Sequence, residues 1–224
     1  MASHRLLLLH ASRASVDPVS EFYLREAPDL RPVNILDEGV MGDLREKNWG
    51  RAVARLRDLI ERAVAAYGVE TALVTCSALG PEPMAAIRAG SSVRTIKIDE
   101  PMLEQAAGSF AGSIGLVATF PATVETSVAW LRHFRPEAEL EIVCDAEALQ
   151  ALLRGEREEH DRRLLAAAEE MASRGVGGIV LAQVSMARLV GEIRRRTGLE
   201  VLESLTAIQT VRMPSFDFGE FPAP

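Results

Sequence analysis

Among the side chains able to serve as nucleophile, acid or base, Cys76 is the best placed. It lies in Thr71–Pro83, TALVTCSALGPEP, where a short apolar, β-prone run over 72–75 gives way to residues that favour a helix from Ala78 onward. Cys76 and Ser77 therefore fall on a strand-to-helix turn, the place where open parallel α/β sheets take their ligands. A helix amino terminus there favours an anion and lowers a thiol's pKa. A thiolate beside a carboxylate substrate is the simplest chemistry that such a turn supports. The opposing reading is a small buried residue, a common place for cysteine.

A second stretch repeats the pattern. Gly177–Met186 reads GGIVLAQVSM: residues 179–181 form a buried-strand run, Gln183 takes the turn position that Cys76 takes earlier, and a helix continues from Ser185. Two strand–turn–helix units with matching polar turns point to an internal duplication. Other polar residues fall at expected strand ends. His10 and Ser12 follow the run 5–10 and are candidate anion contacts, with a hydrogen-bonded strand cap as the alternative for His10. Asp37 and Glu38 follow the run 33–36, where capping is the commoner use of such residues. Glu100 stands before Pro101 at a helix start, which capping and the helix dipole also explain. Thr119 and Thr123 bracket a helix entry suited to a carboxylate. Cys144 follows the run 140–143, either near the same cleft or as an inert thiol.

Around these residues the chain alternates strand and helix patterns. At 224 residues it is long enough for two α/β lobes, each with its own core. A hydrophobic content of 48% and a net charge of −7 describe an ordinary soluble protein and argue against a nucleic-acid surface. Two cysteines make no disulfide framework, and four scattered histidines show no zinc spacing, so a reduced cytoplasmic protein without a structural metal is expected. The apolar run 6–9 is too short for a signal peptide or a membrane span. Residues 46–67 carry apolar side chains at three- and four-residue steps, with Gly68 as a stop. Residues 157–173 form a charged amphipathic helix with Leu164, Leu165, Ala168 and Met171 inward and His160 and Asp161 on the solvated face. The expected division is a first lobe over 1–108, a second over 109–203, and a segment over 204–224 that returns to the first lobe. Its Phe- and Pro-rich end is a loose tail or an arm for a neighbouring subunit.

VTCS, IVLAQ and the ATFPAT loop between them resemble the Asp/Glu/hydantoin racemase superfamily, and the resemblance covers most of the chain. It implies two similar three-layer α/β lobes with mostly parallel sheets and the active site in the cleft between them. It also implies no cofactor, and a pair of cysteines that take and return a proton at the carbon next to a carboxylate. Cys76 matches the first cysteine. Thr75, Ser77, Thr119 and Thr123 match carboxylate-binding positions, and Ser185 adds a hydroxyl to the second turn. Gln183 stands where the second cysteine is expected and Val184 where a hydroxyl residue is usual. Glutamine exchanges no proton near neutral pH. One-sided proton transfer by Cys76 with Gln183 as a hydrogen-bond donor follows: an isomerase or lyase (decarboxylase) acting on a small carboxylate. The alternatives are an amino-acid or hydantoin racemase in which Cys144 or Glu100 supplies the second base, and a non-catalytic carboxylate-binding protein. The family's frequent dimers suggest a homodimer, with neither nucleic acid nor membrane as partner.

Overall fold

The computed structural model describes residues 5–28, 30 and 32–209. The aromatic tail and the end of the return segment lie outside the described residues. The chain forms two compact α/β units. In the first, β1 (Leu6–His10), β2 (Val33–Leu36), β3 (Thr71–Val74) and β4 (Arg94–Lys97) make a parallel sheet in the order β2-β1-β3-β4. In the second, β5 (Ile114–Ala118), β6 (Leu140–Cys144), β7 (Gly178–Leu181) and β8 (Val201–Glu203) repeat that order as β6-β5-β7-β8, again parallel. The shared order is the architecture that a duplicated half predicts.

Burial follows strand position. The inner strands β1, β3, β5 and β7 are buried along their whole length, whereas β2 at one edge alternates half-buried and exposed. Continuous apolar runs in the first group and alternation in the second are what parallel sheets covered by helices require. The flanking helices are α1 (Val16–Glu26), α2 (Gly39–Arg45), α3 (Trp49–Tyr67), α4 (Pro81–Ala89), α5 (Glu100–Ser109), α6 (Pro121–Phe134), α7 (Ala146–Leu153), α8 (Arg157–Ser173), α9 (Val190–Thr197) and α10 (Ser204–Ile208). The Asn48 side chain caps α3 by accepting from the Arg51 amide at 3.2 Å, and Gly68 ends it in the left-handed region at φ 63°. Its buried stripe is Ala52, Leu56, Ile60 and Ala63, while Tyr67 stays exposed. Small alanines, rather than the aromatic ends, let α3 lie close to its sheet.

Helix α8 packs Leu164, Ala168 and Met171 against Val117, Ile179 and Leu181, the stripe that its sequence predicts. His160 departs from expectation. It is fully buried instead of solvated, and only its neighbour Asp161 reaches the surface, where it pairs with Arg188.

The unit boundary also differs from a break at residue 108. The second unit holds Ser77–Glu82 and Asp99–Ile208. Helix α5 joins it because α5 packs on α6 and α10, and α10 packs on α5 and β8 rather than forming a separate return segment. The Ser77–Glu82 loop joins it because Thr126 Oγ1 donates to the Ser77 carbonyl at 2.8 Å and Trp130 Nε1 to the Leu79 carbonyl at 2.9 Å.

The entry to β7 is tightly constrained. Gly177 donates its amide to the Ser113 carbonyl at 2.8 Å, and a Cβ on Gly177 would sit 1.7 Å from the Ala111 carbonyl oxygen. Backbone cannot yield as a side-chain tip can. Gly177→Ala is expected to destabilise the chain by about 3 kcal/mol or more, measured by urea unfolding. A loss below about 1 kcal/mol would contradict this packing.

Candidate active site

Cys76 and Gln183 occupy equivalent places in the two sheets. The register pairs Leu9 with Val74 and Val117 with Leu181, and beyond them the Thr75 amide donates to the Leu9 carbonyl and the Ala182 amide to the Val117 carbonyl, each at 3.0 Å. Cys76 and Gln183 are the next residue in each case. The duplication thus reaches the turn positions themselves.

In the first unit Cys76 is buried, and it is joined by one peptide bond to Ser77. The helix that follows starts at Pro81, not at Ala78 as its sequence suggests. The Ser77 and Leu79 carbonyls are taken by Thr126 and Trp130, which holds the loop open. Cys76 therefore lies outside the first turn of α4, within which a helix dipole acts.

Thr75 is buried and makes its hydrogen bonds within the first unit. Its amide bonds Leu9, and its hydroxyl lies 3.0 Å from His10 Nδ1, 3.1 Å from Ser15 Oγ and 3.3 Å from the Leu9 carbonyl. His10 is fully buried, with Nε2 3.1 Å from Asn34 Oδ1 and Nδ1 3.0 Å from Ser15 Oγ. Because the Asn34 oxygen only accepts, Nε2 carries the proton and Nδ1 accepts from a hydroxyl. This Asn34–His10–Ser15–Thr75 network fixes the residue before Cys76 in place; Asn34 was not apparent in sequence, since nothing near it marks a partner on the neighbouring strand. Ser12 accepts from the Ala14 amide at 3.3 Å and caps the short 3-10 helix Arg13–Ser15. Asp37 accepts from the Gly39 amide at 2.8 Å and Glu38 pairs with exposed Arg13, so both acidic residues are structural.

Lys97, which sequence reading passed over, is fully buried at the carboxyl end of β4 in register with Val74. A lysine set between Ile96 and Ile98 is its signal, because a charge buried in a strand needs a reason.

In the second unit Thr119 follows β5 and is buried. Its amide donates to Gln183 Oε1 at 2.8 Å, and Gln183 Nε2 donates to Thr119 Oγ1 at 2.9 Å. Gln183 heads the 3-10 helix Val184–Leu189 without capping it. Its amide instead adds a rung to the sheet beyond the strand ends. Thr123, buried in the first turn of α6, has its hydroxyl 3.1 Å from that of Ser77. One hydroxyl donates to the other, which leaves a single proton of the pair to donate elsewhere. Ser185 is buried within the 3-10 helix, and Glu100 is the first residue of α5. Cys144 ends the edge strand β6 and is exposed. Burial of its sulfur and the neighbouring Asp145 raise the thiol above its ordinary 9.0. A thiol raised in this way is a poor base at neutral pH.

Burial holds His10 below the ordinary 6.5 despite its Asn34 hydrogen bond, and burial lowers His160 likewise. The folded chain then binds fewer protons than the unfolded chain below pH 6.5, so stability declines as pH drops through that value. Each imidazole contributes at most about 1.4 kcal/mol per pH unit. His10→Gln is expected to give a shallower fall in Tm between about pH 7 and about pH 5. An unchanged slope would contradict the assignment.

The profile of the Asp/Glu/hydantoin racemase family matches residues 8–210, so the chain belongs to that family. No curated protein matches. The structure is similar to a glutamate racemase isoform from Bacillus anthracis, with 15% identity, a TM-score of 0.67, and coverage of 93% of this chain and 80% of that one. It is also similar to allantoin racemase from Klebsiella pneumoniae, with 21% identity, a TM-score of 0.61, and coverage of 92% and 84%. A mutant of arylmalonate decarboxylase in liganded form matches with 17% identity, a TM-score of 0.60, and coverage of 91% and 88%. These likenesses show the two-lobe α/β fold. Among the described residues no helix is long and apolar enough to cross a membrane.

Proposed function

We propose that this chain is a cofactor-independent enzyme that moves a proton at the carbon next to a carboxylate, through Cys76 and on one face only. The reaction class is an isomerisation or a decarboxylation of a small carboxylate. The observation that carries this reading is the unequal pair at equivalent turns. Cys76 can exchange a proton, whereas Gln183 cannot, and both polar atoms of Gln183 are engaged with Thr119. Ser77, Thr119 and Thr123 supply hydroxyl donors for the carboxylate and for the enediolate-like charge that develops on it. Such preorganised donors are commonly the largest catalytic contribution. Cys76 delivers or removes the proton. A second base from Cys144 is disfavoured by its exposed edge position and raised thiol pKa.

Proton NMR in deuterated water tests the reading with a panel of 2-substituted malonates, unsaturated diacids, amino acids and hydantoins. Deuteration or turnover that disappears in Cys76→Ser supports it. Turnover that survives Cys76→Ser sinks it.

A further inference from the structure

We propose that Gln183 is a positioning residue whose side-chain amide sets the direction of the Thr119 hydroxyl proton, turning Thr119 into an outward donor for an anionic oxygen. This rests on the reading above that Thr119 faces a carboxylate.

The orientation of the Gln183 amide is dictated by chemistry. A backbone N–H only donates, so the atom 2.8 Å from the Thr119 nitrogen is the amide oxygen, and the nitrogen 2.9 Å from Thr119 Oγ1 is the donor. Thr119 Oγ1 consequently accepts from Gln183, and its own proton cannot return along the same line. Thr119 is 1% exposed, and among the described residues no acceptor lies within hydrogen-bond distance of that proton. A buried hydroxyl does not keep an unused proton without cost. The Thr119 proton, held away from Gln183 just beyond β5, is thus the donor offered to a carboxylate or enediolate oxygen. The place equivalent to Cys76 becomes a post that holds charge instead of one that moves a proton.

If Gln183 acts through Thr119, removing either should cost the same binding, and removing both should cost little more. Trifluoroacetate is a suitable probe because it remains ionised across the working pH range and reports by 19F NMR. Its affinity is measured for the native chain, Gln183→Met, Thr119→Val and the double variant. The expected result is a loss of about 10-fold in each single variant, no further loss in the double variant, and retained binding in Thr119→Ser. Unchanged affinity in Gln183→Met, fully additive losses, or no trifluoroacetate binding to the native chain would overturn the proposal. Should Gln183→Met fail to fold, Gln183→Glu carries the test. Its ionised carboxylate only accepts, so Thr119 turns inward and affinity is lost near neutral pH. When protonated it again donates to Oγ1, and affinity returns. Intact affinity in ionised Gln183→Glu overturns the proposal equally. Turnover is measured separately from trifluoroacetate affinity, so failure of the proton-transfer reading shows in the first and failure of the Gln183 proposal in the second.

Discussion

Cys76→Ser is expected to lower turnover by about 100- to 10,000-fold while the fold is kept, and Cys144→Ser to leave most activity in place. The two cysteines differ in ways that matter to proton transfer. Cys76 is buried on the turn after an inner strand, next to Ser77 whose hydroxyl meets Thr123. Cys144 is exposed at the end of an edge strand with its thiol raised by burial of the sulfur and by Asp145. A serine hydroxyl keeps the shape of the thiol but titrates far above it, so it cannot serve as the base. Steady-state rates of both variants on the substrate found in the NMR panel check this. Equal losses from the two substitutions would contradict the assignment of Cys76.

Gln183→Cys is expected to change the stereochemical outcome. It places a second thiol at the position equivalent to Cys76, so a reaction confined to one face becomes a mixture of both configurations. Chiral chromatography of the product measures this. The same change breaks the Thr119 clamp and leaves a buried amide without its acceptor, at about 1–3 kcal/mol. Weaker carboxylate binding should therefore accompany the new proton exchange. A product that stays in one configuration would show that position 183 does not face the reacting carbon.

The β-strands were legible because inner strands of a parallel sheet read as unbroken apolar runs, as in LLLL of β1 and IVL of β7. The match between Cys76 and Gln183 was legible for the same reason, since each follows such a run by a fixed step. What could not be read were partners set by tertiary packing. Ala78 favours a helix locally, but the Thr126 and Trp130 hydrogen bonds to Ser77 and Leu79 delay the helix to Pro81. Thr75 matches a carboxylate-binding position by resemblance, and nothing near it in sequence shows that its hydroxyl meets His10 and Ser15. His160 sits on a strongly charged helix face by sequence, yet it is buried, with Arg188 of the 3-10 helix after Gln183 3.1 Å from its Nδ1. The break at the GSFAG stretch followed glycine content, whereas the packing of α5 on α6 moves the unit boundary back to Asp99.

The most direct test of one-sided transfer is to run the reaction in deuterated water and determine the configuration of the new carbon–deuterium bond. The account predicts one deuterium per turnover in a single configuration, absent in Cys76→Ser. Deuterium in both configurations, or recovered substrate that is both labelled and inverted, would mean that a second base works on the opposite face and that the chain is a racemase after all.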